Sequence, residues 1–169
     1  MVWIEYGLQS CHDITLKRIN RGHDRACFEK AVYMTRDCGI DVIAHVIIGL
    51  PGEDREMILE TARYVSKLPI QGIKIHLLYV VEGTRLSEMY RRGEVRCLEM
   101  DEYVDLVVDF LEEFRPDIVI HRLTGDPPRS ELIAPEWALR KGEILNKINQ
   151  EMIRRDTWQG KRYIAQKRG

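Results

Sequence analysis

Residues 40–54 read Ile-Asp-Val-Ile-Ala-His-Val-Ile-Ile-Gly-Leu-Pro-Gly-Glu-Asp, and this stretch decides the fold class. Ile40 to Leu50 is a nearly continuous β-branched run, the pattern of a strand buried on both faces. Pro51-Gly52-Glu53-Asp54 then leads into a helical segment that ends near Leu68-Pro69. The same strand-then-helix order recurs on either side. Upstream, Val2 to Leu8 is β-rich and apolar on both faces, and Cys27 to Cys38 has apolar residues at helical spacing before Gly39 stops it. Downstream, Gly72 to Val81 makes a third strand and Gly83-Thr84 turns the chain. Met100 to Phe114 follows with Tyr103, Val107, Phe110, Leu111 and Phe114 along one stripe. Asp117 to His121 adds a short fourth strand, and Glu136 to Arg155 reads as a terminal helix before a polar tail. Doubly apolar strands alternating with amphipathic helices imply a parallel sheet with right-handed crossovers, so the class is α/β.

At 169 residues the chain has room for one domain with an apolar core. Its 44% hydrophobic and 31% charged content is that of a soluble globular protein, and no apolar run approaches the roughly 20 residues of a membrane span. Met1 to Glu5 carries no export signature, which points to the cytoplasm and away from the membrane. The net charge of −1 gives no global footprint for nucleic acid. Charge is nevertheless uneven. Glu99, Asp101, Glu102, Asp105, Asp109, Glu112 and Glu113 crowd one segment, and Arg154, Arg155, Lys161, Arg162, Lys167 and Arg168 crowd the tail. The ordinary reading is a solvated helix face and a ragged basic end; an RNA-contacting tail is the sharper one.

In parallel α/β folds, ligands sit at the carboxyl ends of the strands. Those ends here are Glu5-Tyr6-Gly7-Leu8-Gln9-Ser10, His45-Val46-Ile47-Ile48-Gly49-Leu50-Pro51-Gly52 and Tyr79-Val80-Val81-Glu82-Gly83-Thr84. Together with Ile19-Asn20-Arg21-Gly22-His23, this ordered set resembles the second half of radical S-adenosylmethionine (SAM) enzymes, nearest to the coproporphyrinogen dehydrogenase and Elongator-type groups and to a small family of bacterial and archaeal radical SAM proteins. The resemblance covers residues 2 to about 92, and Asp156-Thr157-Trp158-Gln159-Gly160-Lys161 resembles that small family's C-terminus. It implies an incomplete (βα) TIM-type barrel over residues 1–122 and a C-terminal extension with a helix and basic tail over 123–169.

By the same resemblance, Gln9 would hydrogen-bond the SAM ribose, Arg21 would meet the methionine carboxylate, and Ile47 would flank the adenine. Gly49 and Gly52 would let the chain turn closely beneath the nucleoside, where a side chain would occupy ligand space. Glu5 belongs to the same region without a defined role. His45 stands where the coproporphyrinogen group has a ribose-binding aspartate; histidine keeps the hydrogen bond but changes its pH dependence. No catalytic residue proper is assigned.

Radical SAM enzymes hold a 4Fe-4S cluster through CxxxCxxC, and Cys11, Cys27, Cys38 and Cys97 are too scattered to supply that loop. The expectation is therefore a C-terminal fragment of an enzyme that, intact, cleaves SAM reductively to a 5′-deoxyadenosyl radical, with tRNA modification one candidate outcome. An alternative is a non-catalytic binding or assembly module that pairs with a cluster-bearing chain. A first strand beginning at residue 2, with apolar faces suited to the middle of a sheet, predicts self-association or a covering partner at that edge. A third reading, an unrelated α/β enzyme, rests on His45, His76 and His121 falling on three predicted strands as zinc ligands, although single strand histidines are more often simply buried or exposed.

Overall fold

A computed structural model describes residues 2–164. β1 (Trp3–Gln9), β2 (Asp41–Ile48), β3 (Gly72–Leu77) and β5 (Val119–Arg122) form one parallel sheet in that order. It is one arc of a (βα) barrel, and its helices stand on the convex side. α2 (Arg25–Asp37) links β1 to β2, α3 (Arg55–Lys67) links β2 to β3, and α5 (Met100–Glu113) precedes β5. The helix starts follow from local chemistry. Asp24 accepts from Cys27 N at 2.8 Å and Asp54 from Met57 N at 3.0 Å, so each aspartate pairs an otherwise open first-turn donor.

One apolar core fills the space between sheet and helices. Val42, Ala44, Val46 and Ile48 of β2, with Ile73, Ile75 and Leu77 of β3, meet Ile58, Ala62 and Val65 of α3 and Val104, Val107, Val108 and Leu111 of α5, all buried. Each valine, leucine or isoleucine among them contributes roughly 1.5–3 kcal/mol on leaving water.

The opposite faces correct the sequence reading. The strands are uniformly apolar toward the helices but mixed on the other side; the concave side of β1 to β3 carries Glu5, His45, Lys74 and His76 alongside Ile43 and Ile47. An arc leaves its concave surface open to water and ligand, so polar side chains are stable there. β1 occupies an edge of the sheet, and Trp3 and Val2 are exposed.

Smaller elements also differ. α1 (Asp13–Arg18) and α4 (Arg85–Arg91) occupy stretches to which the sequence pattern assigns no element. The third apolar run breaks after Leu77; Val80–Val81 form β4, which pairs antiparallel with β6 (Leu132–Ala134) outside the main sheet. The terminal helix α6 (Lys141–Arg154) begins later than Glu136, after a 3-10 turn at Glu136–Leu139. That turn is pinned by Trp137, buried and donating Nε1 to the Leu98 carbonyl at 3.1 Å.

The tail is not ragged up to Ile164. Gln159 Nε2 donates to the carbonyls of Arg115 and Ile118 at 2.8 and 2.9 Å, and Gly160 N reaches the Leu111 carbonyl at 2.8 Å. Arg155 fans across Glu151, Asp109 and Asp105, tying α6 to α5, and Arg55 of α3 pairs with the same buried Asp109. Lys167 and Arg168 lie outside the described residues. No helix among the described residues is long and apolar enough to cross a membrane.

Candidate SAM site

The parallel register brings the concave residues together. Gly7 lies beside His45 and His45 beside Lys74; one step on, Ile47 lies beside His76. Glu5 reaches across the sheet to Lys74 Nζ at 2.6 and 2.7 Å and to His45 Nε2 at 2.8 Å. The Lys74 contact is the main reason its carboxyl is held down to about 2; partial burial opposes this, and the hydrogen bonds from Trp3 and His45 reinforce it. His45 in turn stacks on His76, ring centroids 5.1 Å apart. His76 is pushed down to about 4, first by burial and then by its electrostatic coupling to His45, Arg122 and Lys74 around it, so its ring is neutral at physiological pH. Its Nε2 is buried without a hydrogen-bond partner.

At the carboxyl ends of β1 to β3, Gln9, His45, Ile47, His76, Leu78 and Tyr79 line a cleft of about 250 Å³. A pocket that encloses a small molecule spans roughly 300–1,000 Å³, so this cleft is sized to cover one side of such a ligand. Gln9 enters it through a break in the β1 register after Gly7, with φ of 72°. Its amide folds back over Gly7: a Cβ on Gly7 would stand 2.5 Å from Gln9 Nε2 and 2.8 Å from Arg21 Nη2, so a side chain there would displace both the Gln9 amide and the Arg21 guanidinium. Arg21 donates Nε and Nη2 to the Gly7 carbonyl at 3.2 and 2.7 Å, clamping the strand end that presents Gln9.

Of the sequence-selected residues, Gln9, His45 and Ile47 therefore share one cleft, Glu5 orients His45 from below, and Arg21 joins through Gly7 while lining a separate groove beside Asn20, Gly22 and His23. Gly49 and Gly52 sit in the loop after β2 at φ of 95° and 84°. That left-handed backbone favours glycine at both, and the neighbours a Cβ would meet are Leu98 Cδ1 at 3.1 Å for Gly49 and the Arg18 guanidinium for Gly52. Arg18 uses that space to donate to the Pro51 carbonyl at 3.0 Å.

Two functional contacts escaped the sequence reading. Lys74, the partner of Glu5, sits in Gly72-Ile73-Lys74-Ile75-His76-Leu77, whose strict alternation places Lys74 and His76 on one face. Ser10 donates to Glu53, a carboxyl raised chiefly by burial, and so ties the loop after β1 to the loop after β2. No local pattern marks a pair that far apart in the chain.

The residues present fit SAM and do not fit the cluster. The cleft offers an amide, an apolar wall and the unpartnered His76 nitrogen to a nucleoside. Cys11 is buried, Cys27 and Cys38 are exposed on or beside α2, and Cys97 lies elsewhere; burial pushes the Cys11 thiol up, away from the thiolate an iron ligand must be. Among the described residues no group of three or more His, Cys, Asp or Glu side chains is placed to hold a metal, and His121 lies against Trp3 and Gly72, away from the His45–His76 stack.

The radical SAM superfamily model matches residues 1–65, and the model of the radical SAM C-terminal domain matches residues 70–154. The chain belongs to the radical SAM superfamily. YtqA of Bacillus subtilis is 46% identical over 160 residues, which are 95% of this chain and 50% of YtqA. A tRNA uridine(34) acetyltransferase of Methanocaldococcus infernus is 30% identical over 153 residues, 88% of this chain and 28% of that protein. The radical SAM chain thus spans about half of YtqA and less of the acetyltransferase. The solved structure of M. infernus Elp3 lacking residues 1–46 superposes with a TM-score of 0.82 over 94% of this chain and 37% of that one, at 22% identity, which establishes the shared fold.

Proposed function

We propose that this chain forms the SAM-binding wall of a radical SAM active site whose iron–sulfur cluster is held by residues outside these 169. The observation that carries the reading is the convergence of Gln9, His45 and Ile47 on one cleft that also holds the unpartnered His76 nitrogen. In it Gln9 would hydrogen-bond the ribose hydroxyls and Ile47 would pack on the adenine; from the neighbouring groove Arg21 would meet the methionine carboxylate while keeping the Gly7 carbonyl. Glu5 and Lys74 hold the His45 ring in place. Bound beside a reduced cluster, SAM supplies one-electron hydrogen-abstraction chemistry. The cysteine arrangement supports a division in which this chain binds and orients SAM and the cluster comes from elsewhere.

The likeness to a tRNA uridine(34) acetyltransferase supports a tRNA base as substrate of the complete enzyme. The open edge of β1, with Val2 and Trp3 exposed, favours assembly there with a cluster-bearing strand–helix unit or a second copy, since a parallel strand at an open edge leaves backbone donors unpaired. Sedimentation of the purified chain tests this edge: association at micromolar concentration supports it, and a strict monomer that captures no cluster-bearing partner removes it. The division of labour is tested by iron–sulfur reconstitution of the chain alone followed by product analysis. SAM is retained and no 5′-deoxyadenosine is released if the cluster lies elsewhere; 5′-deoxyadenosine made by this chain by itself overturns the proposal.

A further inference from the structure

Beyond β5 the chain enters a loop whose polar groups the SAM cleft does not use. Arg122 ends β5 and Lys141 opens α6; Arg122 Nη2 and Lys141 Nζ both stand 4.0 Å from the same oxygen, Asp126 Oδ2. That is the outer limit of an ion pair, and Asp126 is 68% exposed, so one weakly held carboxylate faces two cations. Between them in sequence lies Thr124, 1% exposed, with an Oγ1 that has no hydrogen-bond partner. A buried hydroxyl without a protein partner is costly, and a bound water or a ligand oxygen would complete it. Arg122, Thr124 and Lys141 line one cavity of about 370 Å³, walled on its apolar side by Ile120 and Leu145. Arg140, the N-cap of α6, makes no side-chain cap, so the positive end of that helix adds to the same field.

We propose that Arg122, Lys141 and Thr124 form a phosphate-binding site that holds a phosphate group of the substrate. Two cations and a hydroxyl suit a tetrahedral anion with several acceptor oxygens, which takes the place that Asp126 fills loosely. The cavity is larger than a phosphate, and Ile120 and Leu145 accommodate the apolar part of the molecule that carries it. The site adjoins the SAM cleft: Gly125, next to Thr124, packs so closely on Tyr79 that a Cβ there would stand 3.1 Å from its ring, and Tyr79 lines the cleft. The site stands on its own cavity; its assignment to the substrate of the SAM reaction rests on the reading of the cleft given above.

Calorimetric titration with inorganic phosphate tests the site on wild type, Thr124→Val and Lys141→Gln, with dimethyl phosphate and acetate as parallel probes. Phosphate binds wild type, and each substitution weakens it about tenfold, the size of one charge-assisted or completing hydrogen bond. Dimethyl phosphate binding as well as phosphate identifies a phosphodiester source; phosphate binding alone identifies a monoester. Thr124→Val also raises Tm by a few degrees without phosphate, because it removes an unpartnered hydroxyl at nearly constant volume, an effect that a merely structural Thr124 would reverse. SAM binding is unchanged in both variants, which separates this site from the cleft. No phosphate binding by wild type, equal binding by all three proteins, or acetate binding as tight as phosphate overturns the proposal.

Discussion

Ile75 and His76 are neighbours on β3 and live in different solvents. Ile75 points into the helical layer, fully buried among aliphatic side chains; His76 points to the concave side, where its ring stacks on His45 and one nitrogen is left without a partner. The same alternation runs through β2, where Val42, Ala44, Val46 and Ile48 pack against helices while His45 and Ile47 face the cleft. One face of each strand is optimised for packing. The other carries polar groups of which Glu5, His45 and Lys74 pair with one another and His76 keeps one nitrogen unsatisfied, a condition that lowers stability and leaves binding capacity for a ligand.

The widest separation of the two faces is expected from Ile75→Ala. It should cost about 2–5 kcal/mol in urea unfolding, as truncation in a closed core does. His76→Leu should do the reverse: stability holds or rises, while SAM affinity falls about tenfold by calorimetry, the size of one lost hydrogen bond in a ligand site. A His76→Leu protein that unfolds as readily as Ile75→Ala would place His76 in the structural layer.

Titration sharpens the contrast, because the concave face titrates. His76 is lowered from 6.5 to about 4 by folding, so the unfolded chain takes up a proton first; stability is fully present above pH 6.5 and declines as pH falls toward 4. His76→Leu should flatten that part of the stability profile, measured as Tm from pH 7 to 4. Glu5, lowered from 4.5 to about 2, contributes stability above pH 4.5 that is lost as pH falls toward 2. With its side chain 34% exposed, solvent screening limits its worth to about 1 kcal/mol, so Glu5→Gln is the smallest effect, read as a reduced acid limb.

The helical layer was the legible part. β2 announces itself because every position from Val42 to Ile48 but His45 is apolar, and α2, α3 and α5 because their apolar stripes are long enough to show a period. α4 has only seven residues, β4 two and β6 three, too few for any period to emerge. The concave face was legible one residue at a time: Gln9, His45 and Ile47 were found from strand-end position and resemblance. Lys74 lies inside the run Gly72 to Val81, whose reading as a doubly apolar strand singles out His76 and gives Lys74 no role. The Glu5–Lys74 pair, the Arg21 clamp on Gly7 and the Ser10–Glu53 tie each depend on which strands and loops become neighbours, which a single sequence does not state.

The central claim is that the carboxyl ends of β1 to β3 hold SAM through Gln9. Calorimetric titration of SAM into wild type and Gln9→Ala, with Tm recorded for both, tests it most directly. Saturable binding to wild type that disappears in Gln9→Ala at unchanged Tm is the predicted result; no saturable binding to wild type, or binding indifferent to Gln9, contradicts the account.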